Sequence, residues 1–250
     1  MQIKDLIESE ALQIKPSKLY LAEKTKSAKT LEELSNDWDY DVRRSNDSDS
    51  DVRRGVAWNP NCPAKLLEKL SDDSDPDVRV GVAANPNCKA KILEKLSSDF
   101  SVSVRSEVVW SPNCTVEILR KLSNDSHWSV RCYIARNPNC PEEVLEKLSD
   151  DSDWRVRCNV VYNSNCSAEI LEKLSNDSKW NVRNSVVVNR NNSAEILEKF
   201  SHDSDWIIRS NVALHPNCPV EILEKLSKDS ERLVRIDVNK RLNQIKGSKI

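Results

Sequence analysis

Glycine is nearly absent. The chain has 3 glycines in 250 residues, and Gly55, Gly81 and Gly247 stand too far apart to build a Gly-rich phosphate loop. Histidine is equally scarce: His127, His202 and His215 fall at different places in the sequence pattern, so they form no ligand set or triad and read as surface residues. No apolar run approaches the ~20 residues that a membrane-spanning helix needs. Charge of one sign is also missing, because 38 Lys+Arg against 40 Asp+Glu leave a net charge of −2 and a pI near 6.0. Such a chain has no global basic field to attract nucleic acid or an anionic membrane. The opening, Met1 to Lys15, is charged and interrupted, unlike a secretory signal. The expectation is therefore a cytoplasmic protein whose 8 cysteines are reduced thiols, and whose Asn-x-Ser/Thr triplets at Asn113 and Asn165 carry no glycan.

What the chain does have is repetition. Cys62, Cys88, Cys114, Cys140, Cys166, Asn192 and Cys218 stand 26 residues apart, and so do the arginines from Arg53 to Arg235 and the aspartates from Asp73 to Asp229. One unit runs from Asn137 to Tyr162. It opens Asn-Pro-Asn-Cys-Pro and continues into a first helix in which Val144, Leu145 and Leu148 recur at helical spacing. Pro141 suits the first helical turn, where a missing N–H costs nothing, and Glu143 favours the positive end of the helix dipole. The polar stretch Ser149 to Asp153 then supplies caps for a second helix, roughly Asp153 to Tyr162, that buries Val156 and Val160. Asn163 and Ser164 end it; most units have Asn-Pro here, and the residue before proline leaves the helical region. Neither helix can bury its stripe alone, but stacked copies can.

Three segments follow: an N-terminal helical cap over 1–30 with Ile3, Leu6 and Ile7 as its apolar side, a repeat array over 31–241, and a polar, frayed tail over 242–250. Leu31 to Asp37 matches a first helix, and a second Asp-Val-Arg-Arg at 41–44, ahead of that at 51–54, suggests a small local duplication.

Asn-Pro-Asn-Cys-Pro, a Leu-Leu-Glu-Lys-Leu-type helix, then Asp-x-x-Val-Arg-x-x-Val-Ala-x-Asn-Pro resembles the leucine-rich repeat variant family. Asp73 to Arg79 also looks like a HEAT repeat. The resemblance implies an all-α, right-handed superhelical solenoid of about eight 26-residue helix-pair repeats, α/α or α/3₁₀. A founding member of that family carries an iron–sulfur module built from N-terminal cysteines. No cysteine precedes Cys62 here, so that function does not carry over.

The repeated residues read as structural. The cysteines suit the N-cap of each first helix, because equivalent positions in adjacent repeats lie about 10 Å apart, too far for one metal ion or a disulfide. Cys132 and Cys158, mid-helix and opposite the buried valines, are expected to be exposed. Each ladder arginine is expected to pair with the aspartate upstream of it rather than with phosphate. Trp128, Trp154, Trp180 and Trp206 should seal the joints between units, each offering its face to the arginine three residues on.

Partner choice is left to residues that vary between repeats. One edge of the second helix reads Trp58, Ala84, Trp110, Arg136, Tyr162, Val188 and Leu214; the adjacent row includes Asp77, Ser103, Ser129, Arg155, Asn181 and Ile207. Aromatic residues and arginine are the usual interface anchors. Trp58, Trp110, Arg136, Tyr162 and Arg155 are accordingly the candidate partner-binding residues. The expected function is a non-enzymatic scaffold that holds a peptide or partner protein on the inner, second-helix face, without catalytic residues, cofactor or metal. A nucleic-acid-binding solenoid is the alternative, disfavoured by the near-neutral charge, and a metal or redox protein is the third reading.

Overall fold

The computed structural model describes residues 18–35, 49–190 and 192–247. Among them every regular element is an α-helix, so the second helix of each repeat is α and not 3₁₀. The chain forms two compact units, Met1–Leu122 and Ser123–Ile250. Ile3, Leu6 and Ile7 of the expected cap, and the early Asp-Val-Arg-Arg, lie outside the described residues.

The first unit contains α1 (Lys18–Lys24), α2 (Ala28–Ser35), α3 (Asp49–Trp58), α4 (Ala64–Leu70), α5 (Pro76–Ala84), α6 (Ala90–Leu96), α7 (Val102–Trp110) and α8 (Val116–Leu122). The second contains α9 (Trp128–Arg136), α10 (Glu142–Leu148), α11 (Trp154–Val161), α12 (Ala168–Leu174), α13 (Trp180–Val187), α14 (Ala194–Phe200), α15 (Trp206–Leu214), α16 (Val220–Leu226) and α17 (Arg232–Gly247). Helix α17 continues past Arg241 to Gly247, so the segment expected to fray is helical as far as it is described.

Each short helix buries one triplet, such as Leu66, Leu67 and Leu70 in α4 or Val144, Leu145 and Leu148 in α10. Each such side chain contributes roughly 1.5–3 kcal/mol. The short helices begin one residue later than the proline argument requires. Pro63, Pro141 and Pro219 are the N-caps themselves, extended at ψ 145, 154 and 147, and the preceding cysteine lies outside the helix. A serine closes each one: Ser71, Ser97, Ser149, Ser175 and Ser201 donate their hydroxyls to the carbonyl three residues back, at 2.6–2.7 Å. The ladder aspartate then accepts the N–H two residues on, as Asp151 does from Asp153 at 2.9 Å, and so turns the chain into the second helix.

Within each unit, adjacent repeats are joined by side chains. The two asparagines of Asn-Pro-Asn both reach back one repeat. Asn85 Nδ2 donates to the Ala57 and Asn59 carbonyls at 2.6 and 2.8 Å, and Asn87 Nδ2 to those of Pro60 and Cys62 at 2.8 and 3.0 Å. The second unit repeats both arrangements with Asn163 and Asn165. At the start of the array Asn59 takes the end of α1 in the same way, donating to Ala22 and Thr25, so α1 stacks as a shortened second helix.

The arginine ladder is the second joint, and its direction differs from the expected one. Arg157 donates Nε and Nη2 to the carboxylate of Asp177, 20 residues downstream, at 2.6 and 2.9 Å, whereas the upstream Asp151 offers only its backbone carbonyl, to Nη1 at 2.6 Å. Arg79 with Asp99, Arg131 with Asp151, Arg183 with Asp203 and Arg209 with Asp229 do the same. Burial alone would raise the Asp99 and Asp177 carboxyls, but the guanidinium and a backbone N–H outweigh it and hold both below the ordinary value.

Candidate functional site

Apolar residues four apart on each second helix point into the core, as Val156 and Val160 do in α11. The opposite side carries the residues that vary. In the first unit Trp58 ends α3 and Trp110 ends α7, with 49% and 46% of their surfaces exposed. The Trp58 ring lies over Gly81, where a methyl group would come within 2.8 Å of its Cδ1. The missing side chain at Gly81 is therefore what gives that indole its place. Glu107, half-buried on the same side of α7, has its carboxyl pushed up by burial.

In the second unit Arg136, Tyr162, Val188 and Leu214 hold the same register at the ends of α9, α11, α13 and α15, all exposed, Tyr162 to 62%. Four of the five candidate residues thus stand where the pattern put them: Trp58 and Trp110 in the first unit, Arg136 and Tyr162 in the second. Arg155 differs. It is half-buried, tied to Asp153 at 2.9 Å through Nε and 2.6 Å through Nη2, and its guanidinium lies over the Trp128 ring, 3.6 Å from the centroid. The cation on Trp128 therefore comes from the next repeat and not from Arg131 three residues on. Trp128 is half-buried under it, while Trp154, Trp180 and Trp206 are each more than a third exposed and seal their joints only in part.

Not every variable residue is available to a partner. The fifth position of one second helix bonds the sixth of the next: Asn211 Nδ2 donates to Asn184 Oδ1 at 2.7 Å, and Ser210 Oγ to Asp237 at 2.5 Å. Cys132 with Asn159, and Cys158 with Ser185, make the same rung. Cys132 is accordingly buried and Cys158 half-buried, not exposed as expected. Burial pushes the Cys132 thiol up to about 11 and raises that of Cys158 as well, which removes the thiolate that reactivity requires.

The ladder cysteines are buried or half-buried just ahead of each N-cap, and desolvation lifts Cys62, Cys88 and Cys140 to about 12. Asn192 fills the same buried slot and donates Nδ2 to the Val186 and Val187 carbonyls at 2.6 and 3.1 Å. His215, read from sequence as a surface residue, is 3% exposed and occupies the position of Asn59 and Asn85. The Asn189 carbonyl can only accept, so Nε2 carries the proton at 3.1 Å; the Asn217 N–H can only donate, so Nδ1 is bare. Among the described residues no three His, Cys, Asp or Glu converge on a metal position, and no helix is long and apolar enough to cross a membrane.

Comparison with known proteins agrees with this geometry. Residues 128–153, one full period, match the family described as leucine rich repeat variant. A solved structure described as a leucine-rich repeat variant with a novel repetitive protein structural motif aligns at a TM-score of 0.66 with 24% identity, over 89% of this chain and 81% of that one. An engineered protein aligns at 18% identity over 87% of this chain and 96% of its own, but at a TM-score of only 0.22. No curated protein matches. The chain is a helical repeat protein with the leucine-rich repeat variant fold.

Proposed function

We propose that the chain is a non-enzymatic scaffold that binds a peptide or partner protein on its second-helix face. The carrying observation is the end position of those helices, where the repeat frame places Trp58, Trp110, Arg136, Tyr162, Val188 and Leu214 outward while the residues around them are committed to stacking. Exposed aromatic and arginine side chains of that kind are typical interface anchors. A cytoplasmic setting fits 8 cysteines that are all free.

The test is affinity capture with three variants: Trp58→Ala/Trp110→Ala, Arg136→Ala/Tyr162→Ala, and Glu146→Ala/Glu172→Ala on the short helices as a control. A partner lost with either of the first two and retained by the control supports the face. One retained by both refutes it.

A nucleic-acid reading draws on one observation. The short helices of the first unit and the N-cap before α6 expose Lys65, Lys69, Lys89, Lys91, Lys95, Arg120 and Lys121 against Glu68, Glu94 and Glu117. Several of those cations are already engaged, among them Lys95 by Ser71 Oγ at 2.9 Å, Lys121 by Ser97 Oγ at 2.8 Å and Arg120 by Glu117 at 3.9 Å. Binding to duplex DNA at low salt that falls steeply as salt is added would favour it; no binding at low salt removes it.

A further inference from the structure

The joint between α9 and α11 contains a filled seat for a guanidinium. Trp128 supplies the platform, Asp153 the carboxylate, and Arg155 the cation that occupies both. Two repeats later the frame recurs with the cation missing. Trp180 opens α13 as Trp128 opens α9. Asp205 caps α15 at φ −86, ψ 119, against −90, 118 for Asp153, and its Oδ1 accepts the Ile207 N–H at 2.9 Å as Asp153 Oδ1 accepts that of Arg155. A ladder arginine lies near each carboxylate, Arg131 near Asp153 and Arg183 near Asp205.

Where Arg155 stands in the first joint, Ile207 stands in the second. Trp180 is 43% exposed, and among the described residues no cation forms an ion pair with Asp205.

We propose that Trp180 and Asp205 form a seat for an arginine side chain of the partner, which takes the place that Arg155 fills on Trp128 and Asp153. The proposal rests on the reading of the second-helix face as the docking surface and specifies what docks there. A guanidinium is the fitting group because it is planar, stacks on an indole face and offers a fork of N–H donors to a carboxylate at the same time, which a compact ammonium does not.

The remaining joints narrow the position. Lys179 holds the capping slot after Trp154 and repels a cation, and in the first unit the positions equivalent to Trp180 are Ser50, Pro76 and Val102. After Trp206 the slots are Glu231 and Leu233, an acidic cap without an arginine. Equivalent points in adjacent repeats lie about 8–10 Å apart, and three residues of extended chain span about 10 Å. An extended segment with arginines at i and i+3 therefore reaches both seats.

The probe is the capped peptide Gly-Arg-Gly-Ser-Arg-Gly, compared with the same peptide carrying citrulline, which keeps the shape of arginine without its charge. Binding is followed on the indole N–H resonances of the intact chain. The seat predicts shifts at Trp180 and Trp206 with Trp58 and Trp110 unmoved, at least tenfold weaker binding of the citrulline peptide, and a similar loss with Asp205→Asn. Ile207→Arg should close the seat from within and abolish the Trp180 shift while the far-ultraviolet circular dichroism stays unchanged. Equal binding of the two peptides, or full binding by Asp205→Asn, overturns the proposal. A captured partner that tolerates Asp205→Asn and Ile207→Arg but is lost with Arg136→Ala/Tyr162→Ala refutes the seat and leaves the face standing. One that tolerates all of these and Trp58→Ala/Trp110→Ala as well refutes both.

Discussion

Ser111 marks a defect in the asparagine ladder, and repairing it should stabilise the protein. At this position Asn85 and Asn163 each donate two buried hydrogen bonds to the preceding repeat, at 2.6–2.9 Å, and accept a third from the N–H two residues on at 2.8–2.9 Å. Ser111 is 6% exposed and its hydroxyl has no partner. Its backbone, φ −59 and ψ 135, is close to that of Asn85 at −68 and 130, so an asparagine would start from the same geometry and point at the carbonyls of Ala83 and Asn85. Two new donor bonds contribute roughly 0.5–1.5 kcal/mol each, and the unsatisfied hydroxyl disappears. Fixing the longer side chain costs on the order of 1 kcal/mol. Ser111→Asn should therefore gain about 1–2 kcal/mol, read as a higher urea midpoint at unchanged slope, with slower hydrogen exchange at the turn 111–114. A midpoint that stays put or falls would refute the idea that these asparagines hold the repeats together.

Two further predictions follow from groups that burial has displaced. His215 is held neutral, its pKa lowered first by burial and further by Arg241. The unfolded chain takes up the proton near pH 6.5, so this contribution is complete above that pH and is lost as pH falls toward the folded-state value. His215→Asn should abolish the decline that sets in as pH falls through about 6.5 while leaving the lower transition in place. That lower transition belongs to Asp99, Asp177, Asp203 and Asp229, whose depressed values give stability that is complete above about pH 4 and lost below it. Persistence of the upper decline in His215→Asn would show that another group causes it. With thiols raised to about 11–12 at Cys62, Cys88, Cys114, Cys132, Cys140, Cys166 and Cys218, a thiolate-seeking aromatic disulfide should label the native chain at less than one site within minutes and all 8 cysteines in denaturant. Rapid labelling of Cys132 in the native chain would contradict its burial.

The period, the helix pair and the core stripes were legible in the sequence because spacing alone encodes them: Leu66, Leu67, Val156 and Val160 are buried as their positions require. The partners across each joint were not. A strict repeat gives every arginine two equivalent aspartates, one upstream and one downstream, and only the folded chain distinguishes them: the carboxylate comes from ahead and the carbonyl from behind. Arg155 on Trp128 was missed for the same reason, since helical spacing connects residues within one helix and this contact crosses between two. The burial of His215 is carried by its register, which aligns it with Asn59 and Asn85, and not by its residue type. Of the candidate surface, the end row was legible from its variability, whereas the polar rungs that occupy Cys132, Asn159, Asn184 and Ser210 vary just as much.

The central claim is that a 26-residue unit is held chiefly by side chains reaching into its neighbours. The most direct measurement is a double-mutant cycle on Arg157→Ala and Asp177→Ala, followed by hydrogen exchange along the chain. The side chains of this pair are only 13% and 8% exposed, so each single change should cost about 3–5 kcal/mol. The coupling should be on the order of 2 kcal/mol, with protection lost in α11 and α13 and retained at Arg209 and Asp229. Additive single effects, or protection lost uniformly from the whole chain, would contradict it.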